Sequence, residues 1–162
     1  MRHNRKVAVV VGSGGIKCAA ALGLWQALGR EGIEISMAVG SSGGSIYAAM
    51  MALGYDAATA EARTVDLWTP DLMSGYTSQL RAVQSGASRF TERSGLADGQ
   101  RITRRLYQVF GNRTFAETRF PLFIISTDLN RGEPDVHSTG RLVDALTLIH
   151  ISQPTILKTI SS

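Results

Sequence analysis

The sequence predicts an α/β protein, with a mostly parallel sheet and helices on both faces. The β-branched run at residues 7–11 is typical of a strand buried on both faces of a parallel sheet. An Ala- and Leu-rich helical segment follows at residues 16–30, and a second apolar strand at residues 33–39. Each strand ends in a glycine-rich turn, so the first half of the chain forms a right-handed β-α-β unit.

The composition indicates one globular domain. The 162 residues are 44% hydrophobic and 19% charged, which excludes a disordered chain. The net charge of +4 is compatible with an anionic partner such as a phospholipid headgroup, although the basic residues are scattered. The densest cluster, Arg101, Arg104 and Arg105, has no aromatic stacking platform, so we expect no nucleic-acid partner.

Cysteine content and the N-terminal segment bear on location. Cys18 is the single cysteine of the sequence, so no intrachain disulfide can form, which fits a reducing compartment. The apolar run after the basic start is shorter than the roughly 7–15 residues of a signal-peptide core. No stretch approaches the roughly 20 apolar residues of a membrane span. We therefore expect a cytoplasmic protein without a signal peptide, and with at most a peripheral membrane contact.

The candidate nucleophile is Ser42, the central residue of Gly40-Ser41-Ser42-Gly43-Gly44. This is a G-x-S-x-G motif between a strand and a helix, and in a nucleophile elbow such a serine occupies the apex of a strained turn. Side chains at Gly40 and Gly44 are expected to clash with the flanking strand and helix. An ordinary strand-to-helix turn is the alternative, since Gly and Ser are common in loops.

The first glycine-rich turn, Gly12-Ser13-Gly14-Gly15, is predicted to face the same crevice as Ser42, because both follow parallel strands. Free backbone amides at a helix start bind negative charge. That charge is either a phosphate or the oxyanion formed by attack of a serine. Lys17 stands where G-x-G-x-x-G needs a glycine, and its neighbours do not form a P-loop. A phosphate- or nucleotide-binding module remains the alternative function.

The remaining chain alternates helices and strands. Asp56 is the predicted N-cap of a helix at residues 57–67, and Asp98-Gly99 is predicted to start another. The other predicted elements are a loop-rich region at 70–95, a helix at 100–110, a short helix within 114–119, strands at 120–127 and 134–138 joined by a turn, and a helix at 141–148.

Taken together, these motifs resemble the patatin-like phospholipases, which are lipid acyl hydrolases with a serine–aspartate dyad. The matching segments are residues 13–18, residues 22–28 with 32–33, residues 40–44 and residues 127–133. The resemblance implies a three-layer α/β/α fold over residues 1–146, with Ser42 as the nucleophile. It also implies an oxyanion hole at the amides of Gly14 and Gly15, a basic position at Lys17, and a lipid or other ester substrate. It implies no cofactor and no metal.

Two departures from the family matter. Cys18 stands where the family has glycine, and we interpret it as a small packed residue rather than a reactive thiol. The dyad aspartate, which the family carries in an Asp-Gly-Gly or Asp-Gly-Ala motif after the hairpin, is missing. We expect the fold to be incomplete at its C-terminus. Residues 147–162 then form an atypical tail, explained by disorder or by a shifted reading frame.

Other residues are weaker candidates for the base that a serine nucleophile needs. His137 is predicted on the surface of a strand, His150 lies in the atypical tail, and Asp128 is predicted to be a turn residue. The sequence thus predicts a lipid acyl hydrolase by family, with little turnover by this chain alone. A non-catalytic fragment is a further alternative.

Overall fold

The structure, a computed structural model, describes residues 5–70, 92–128 and 131–148. Within these residues four strands form one sheet, in which β1, β2, β3 and β4 lie in that spatial order. The strands are β1 (Lys6–Val11), β2 (Glu34–Ser41), β3 (Leu122–Asp128) and β4 (Glu133–His137). The first three are parallel, and β4 returns antiparallel to β3. The predicted α/β class and mostly parallel sheet are confirmed.

Helical segments join the parallel strands, as such connections require. The described α-helices are α1 (Ala20–Arg30), α2 (Gly43–Leu53), α3 (Ala57–Leu67), α4 (Glu92–Phe110) and α5 (Leu142–Leu148). Two short 3-10 helices lie at Gly15–Ala19 and Phe115–Glu117. None of the helices in the described part of the chain is long and apolar enough to cross a bilayer.

Helix α2 is the centre of the core. Its sequence carries no charged residue, and every residue from Gly43 to Ala52 is buried. A helix that is apolar all round must be enclosed on all sides. The sheet contributes Ala38 and Ile124 to this core, and α4 contributes Leu106. The helix that follows the candidate nucleophile is therefore held rigidly.

The two faces of the sheet are buried to different extents. Successive side chains on a strand point to opposite faces, so neighbouring residues report on different faces. Val9, Ala38 and Leu122 lie in register across β1, β2 and β3, and all three are buried. Val10 is one residue further along β1, and its side chain is 72% exposed. Val136 on β4 is 54% exposed.

Several element boundaries differ from the prediction. Strand β2 continues through Gly40 and Ser41 because both residues pair with β3, and α2 begins directly after Ser42. The predicted start of a helix at Asp98 is wrong, because α4 begins at Glu92 and includes that residue. Most of the predicted loop-rich region and nearly all of the predicted tail lie outside the described residues.

Candidate active site

Ser42 lies between the end of β2 and the start of α2. Its φ of 52° and ψ of −132° make it the one non-glycine residue with positive φ in the described ranges. A serine at a helix N-cap normally accepts a hydrogen bond from the first turn. The Ser42 side chain makes no such bond, and only its carbonyl accepts from the Ser45 amide, at 3.0 Å. The strained backbone thus leaves the hydroxyl unused by the helix.

Glycine is required on both sides of Ser42. A Cβ atom on Gly40 would overlap the backbone of Ser45, and one on Gly44 would overlap the backbone of Val11. The predicted clashes are confirmed, and they arise because β1, β2 and α2 meet with their backbones in contact.

The structure brings the first glycine-rich turn directly against the elbow. A Cβ atom on Gly43 would lie 2.7 Å from the carbonyl oxygen of Gly15, so these two backbones touch. A hydrogen bond of 3.3 Å also joins the hydroxyls of Ser13 and Ser41. No local pattern predicts the Ser13–Ser41 bond, because the partners are 28 residues apart. The two glycine-rich turns therefore lie in direct contact.

The backbone of this first turn has amide groups that the turn itself does not use. Gly14 is extended, and Gly15 has a φ of +56° and starts the 3-10 helix Gly15–Ala19. The Gly14 carbonyl accepts from the Lys17 amide at 3.1 Å. The amides of Gly14 and Gly15 donate no hydrogen bond within the described part of the chain. Such amides at a helix start are suited to binding an anion.

The Cys18 side chain packs against the first glycine-rich turn. Its buried thiol donates to the Gly12 carbonyl at 3.2 Å, and a Cβ atom on Gly14 would lie 3.1 Å from its sulfur. Burial raises the pKa of the thiol, which disfavours the reactive thiolate. The interpretation of Cys18 as a packed small residue is confirmed.

Lys17 is exposed, and it has no ion-pair partner among the residues that the structure describes. Its contact with the turn is the backbone hydrogen bond to Gly14. The role of its side chain stays a prediction.

The candidate bases are engaged elsewhere. Asp128 ends β3, where its carboxylate accepts from the Arg131 amide at 3.3 Å and lies 3.7 Å from the Arg131 guanidinium. His137 Nε2 lies 2.8 Å from Ser126 Oγ and 3.6 Å from an Asp135 carboxylate oxygen.

Asp128 therefore acts in the hairpin as predicted, whereas His137 is largely buried at its side chain rather than on the surface. His150 lies outside the described residues. Within those residues, neither a histidine nor a carboxylate hydrogen-bonds the Ser42 hydroxyl, and no group of three or more His, Cys, Asp or Glu side chains could hold a metal ion.

Comparison with solved structures places this architecture among known folds. VipD from Legionella pneumophila superposes with a TM-score of 0.53 over 89% of this chain and 41% of that chain. The sequence identity is 12%, so this likeness concerns the fold alone.

Sequence comparison adds curated relatives. The chain is 28% identical over 136 residues to the patatin-like phospholipase domain-containing protein ZK370.4 of Caenorhabditis elegans, covering 84% of this chain and 10% of that protein. It is 28% identical over 143 residues to the uncharacterized NTE family protein Rv2565 of Mycobacterium tuberculosis, covering 88% and 22%. The match to the human patatin-like phospholipase domain-containing protein 6 is 26% over 136 residues, covering 84% and 9%.

The chain thus spans between about a tenth and a fifth of the length of these relatives. The family model described as patatin-like phospholipase matches residues 9–149, a range that includes both glycine turns and the whole described sheet from Val9 onward. Because that match extends over most of the sequence, the chain belongs to the patatin-like phospholipase family.

Proposed function

We propose that this chain carries the nucleophile and the oxyanion-binding turn of a lipid acyl hydrolase. The observation that carries the proposal is the strained φ of Ser42, with the first glycine-rich turn packed against its elbow. The positive end of α2 lies beside the hydroxyl, and this end favours the negative charge that develops during ester cleavage.

The proposed reaction starts when Ser42 Oγ gives its proton to a base and bonds to the ester carbonyl carbon. The carbonyl oxygen becomes an oxyanion, which the amides of Gly14 and Gly15 stabilise. The C–O bond to the alcohol then breaks, and the alcohol leaves with the proton that the base has held. Water hydrolyses the acyl-serine, releasing the fatty acid and restoring the hydroxyl.

The base is the part that the described residues do not supply. In the family it is the dyad aspartate, and we propose that in the gene product this group comes from outside the residues described here. We expect little ester turnover by the 162-residue chain alone. We also propose a cytoplasmic location. The net charge of +4 favours a peripheral contact with anionic lipid.

A fluorophosphonate probe tests the nucleophile in the full-length gene product. We expect labelling at Ser42, identified by peptide mass spectrometry, and a loss of more than about tenfold in Ser42→Ala, because the neighbouring Ser41 hydroxyl is hydrogen-bonded to Ser13. Ser36→Ala is the matched control, since Ser36 is an exposed serine on the same strand that bonds the Val7 carbonyl. Equal labelling of the wild type and Ser42→Ala would overturn the assignment. Nucleotide binding without serine labelling would favour the phosphate-binding module instead.

A further inference from the structure

A cavity of about 570 Å³ lies between α3 and α4. No residue of the elbow or of the first glycine-rich turn lines it. Its volume falls within the roughly 300–1,000 Å³ that is usual for sites that bind small molecules. The cavity is therefore large enough for a ligand of its own.

Two arginines on opposite sides of this cavity are held by reciprocal hydrogen bonds. Arg63 on α3 donates through Nη1 to the Gln108 carbonyl on α4, at 3.4 Å. Arg105 on α4 donates through Nη1 to the Asp66 carbonyl on α3, at 2.8 Å. Each guanidinium thus reaches across to the backbone of the other helix, which fixes both positive charges at the cavity.

Arg63 is suited to binding an oxyanion. Arg63 forms no ion pair with a carboxylate of the described residues, and its one described hydrogen bond uses one of its five N–H donors. The planar fork of a guanidinium matches the oxygen atoms of a carboxylate or a phosphate. Asp66 also lines the cavity, and its carbonyl oxygen is the acceptor of the Arg105 hydrogen bond.

The remaining wall is apolar. Trp68 and Val109 are buried, and the Trp68 indole is held by its N–H bond to the Tyr47 hydroxyl, at 3.1 Å. Val65 also lines the cavity although its side chain is 69% exposed. Together with the Arg63 guanidinium, this wall provides a surface for a ligand that is anionic at one end and apolar at the other.

We propose that this cavity binds a single-chain amphiphile with an oxyanion head. The head lies on the Arg63 guanidinium, and the first carbons of the chain pack on Val65, Trp68 and Val109. A carboxylate and a phosphate share this chemistry, so a free fatty acid and a phosphorylated lipid head are its two sources. The site is separate from Ser42, and its ligand is bound rather than cleaved.

Calorimetric titration of Ser42→Ala tests this proposal independently of hydrolysis. The probes are octanoate, octyl phosphate, inorganic phosphate and octanol. We expect at least one of the two octyl anions to bind more than about tenfold more tightly than octanol and inorganic phosphate. Only an octyl anion can contact both the arginine and the apolar wall. The octyl anion that binds more tightly identifies the source of the ligand. Similar affinities for all four probes, or no binding at millimolar concentration, would overturn the proposal.

Variants locate the binding site. Arg63→Gln is expected to weaken binding of the preferred anion about tenfold, because it removes the positive charge at the head. Val65→Asp is also expected to weaken binding, because it places a negative charge beside the alkyl chain. Arg104→Gln is the matched control, since Arg104 is an exposed arginine of α4 that does not line the cavity, and we expect less than a twofold change. Circular dichroism confirms that each variant is folded. Unchanged affinity in folded Arg63→Gln and Val65→Asp, or an equal loss in Arg104→Gln, would overturn the assignment.

Discussion

At the scale of single residues, the candidate site depends on close contacts between segments that are distant in the sequence, such as Gly43 against Gly15. Ser42 and its flanking glycines were identifiable because a strand-to-helix turn with a serine at its apex needs small neighbours. The sequence could not predict contacts between distant segments, such as the pairing of Ser13 with Ser41 or the crossing of Arg63 to Gln108. Both contacts depend on how helices and turns pack, for which a single sequence carries no local pattern.

Gly43 provides the sharpest test of the packing between the two turns. In Gly43→Ala, the new methyl group would lie 2.7 Å from the Gly15 carbonyl oxygen. Backbone atoms cannot move aside as the end of a flexible side chain can. We expect a loss of about 2–3 kcal/mol in the free energy of unfolding, together with loss of fluorophosphonate labelling. Urea unfolding followed by circular dichroism measures the change.

Gly23→Ala is the control for this substitution. Gly23 lies within α1, and a Cβ atom there would have no neighbour within 4 Å. Because alanine is the better helix former, this variant is expected to gain roughly 0.5–1 kcal/mol. If Gly43→Ala proved as harmless as Gly23→Ala, the turns would not be in backbone contact.

At the scale of helices and strands, the predicted cap at Asp56 is confirmed, whereas the predicted helix start at Asp98 is wrong. Asp56 caps α3 as predicted, since its carboxylate accepts from the Thr59 amide at 2.7 Å. Gly43 and Gly44 carry no local signal for a helix, because glycine is a weak helix former. They nevertheless form the first turn of α2, since backbone packing there excludes any larger residue.

The Asp56 cap should make the stability of α3 depend on pH. The Thr59 amide lowers the pKa of the Asp56 carboxyl below its ordinary value of 3.8. A lowered pKa in the folded state stabilises the protein above the pKa of the unfolded state, and this stabilisation is lost as the pH falls through the folded value. Asp56→Ala should therefore lower the melting temperature at pH 7, and this difference from wild type should shrink below about pH 4.

Thermal unfolding at pH 7 and pH 2 measures this effect. Asp56→Asn is the matched control, because asparagine also caps helices but carries no charge. We expect it to retain most of the stability at pH 7 and to show a weaker dependence on pH than the wild type. A deficit of Asp56→Ala that is the same at both pH values would contradict a role for the carboxylate charge.

At the scale of the whole molecule, the order of strands and helices followed from the sequence, but the burial of the sheet did not. The run at residues 7–11 is apolar at every position, so it predicted a strand covered on both faces. Because apolar and polar residues do not alternate in such a strand, its sequence does not indicate which face is buried. The structure buries Val9 and leaves Val10 largely exposed, although the two residues are chemically identical neighbours.

These two valines give a direct test of that asymmetry. Val9→Ala should lower the free energy of unfolding by about 2 kcal/mol, since it removes buried methyl groups and leaves a cavity. Val10→Ala should cost less than about 0.5 kcal/mol beyond the strand preference of valine, which both substitutions lose alike. Parallel urea unfolding of the two variants measures the difference, in which that shared strand term cancels. An equal loss in both would mean that the second face of the sheet is covered in solution, so that the core extends to both sides of β1.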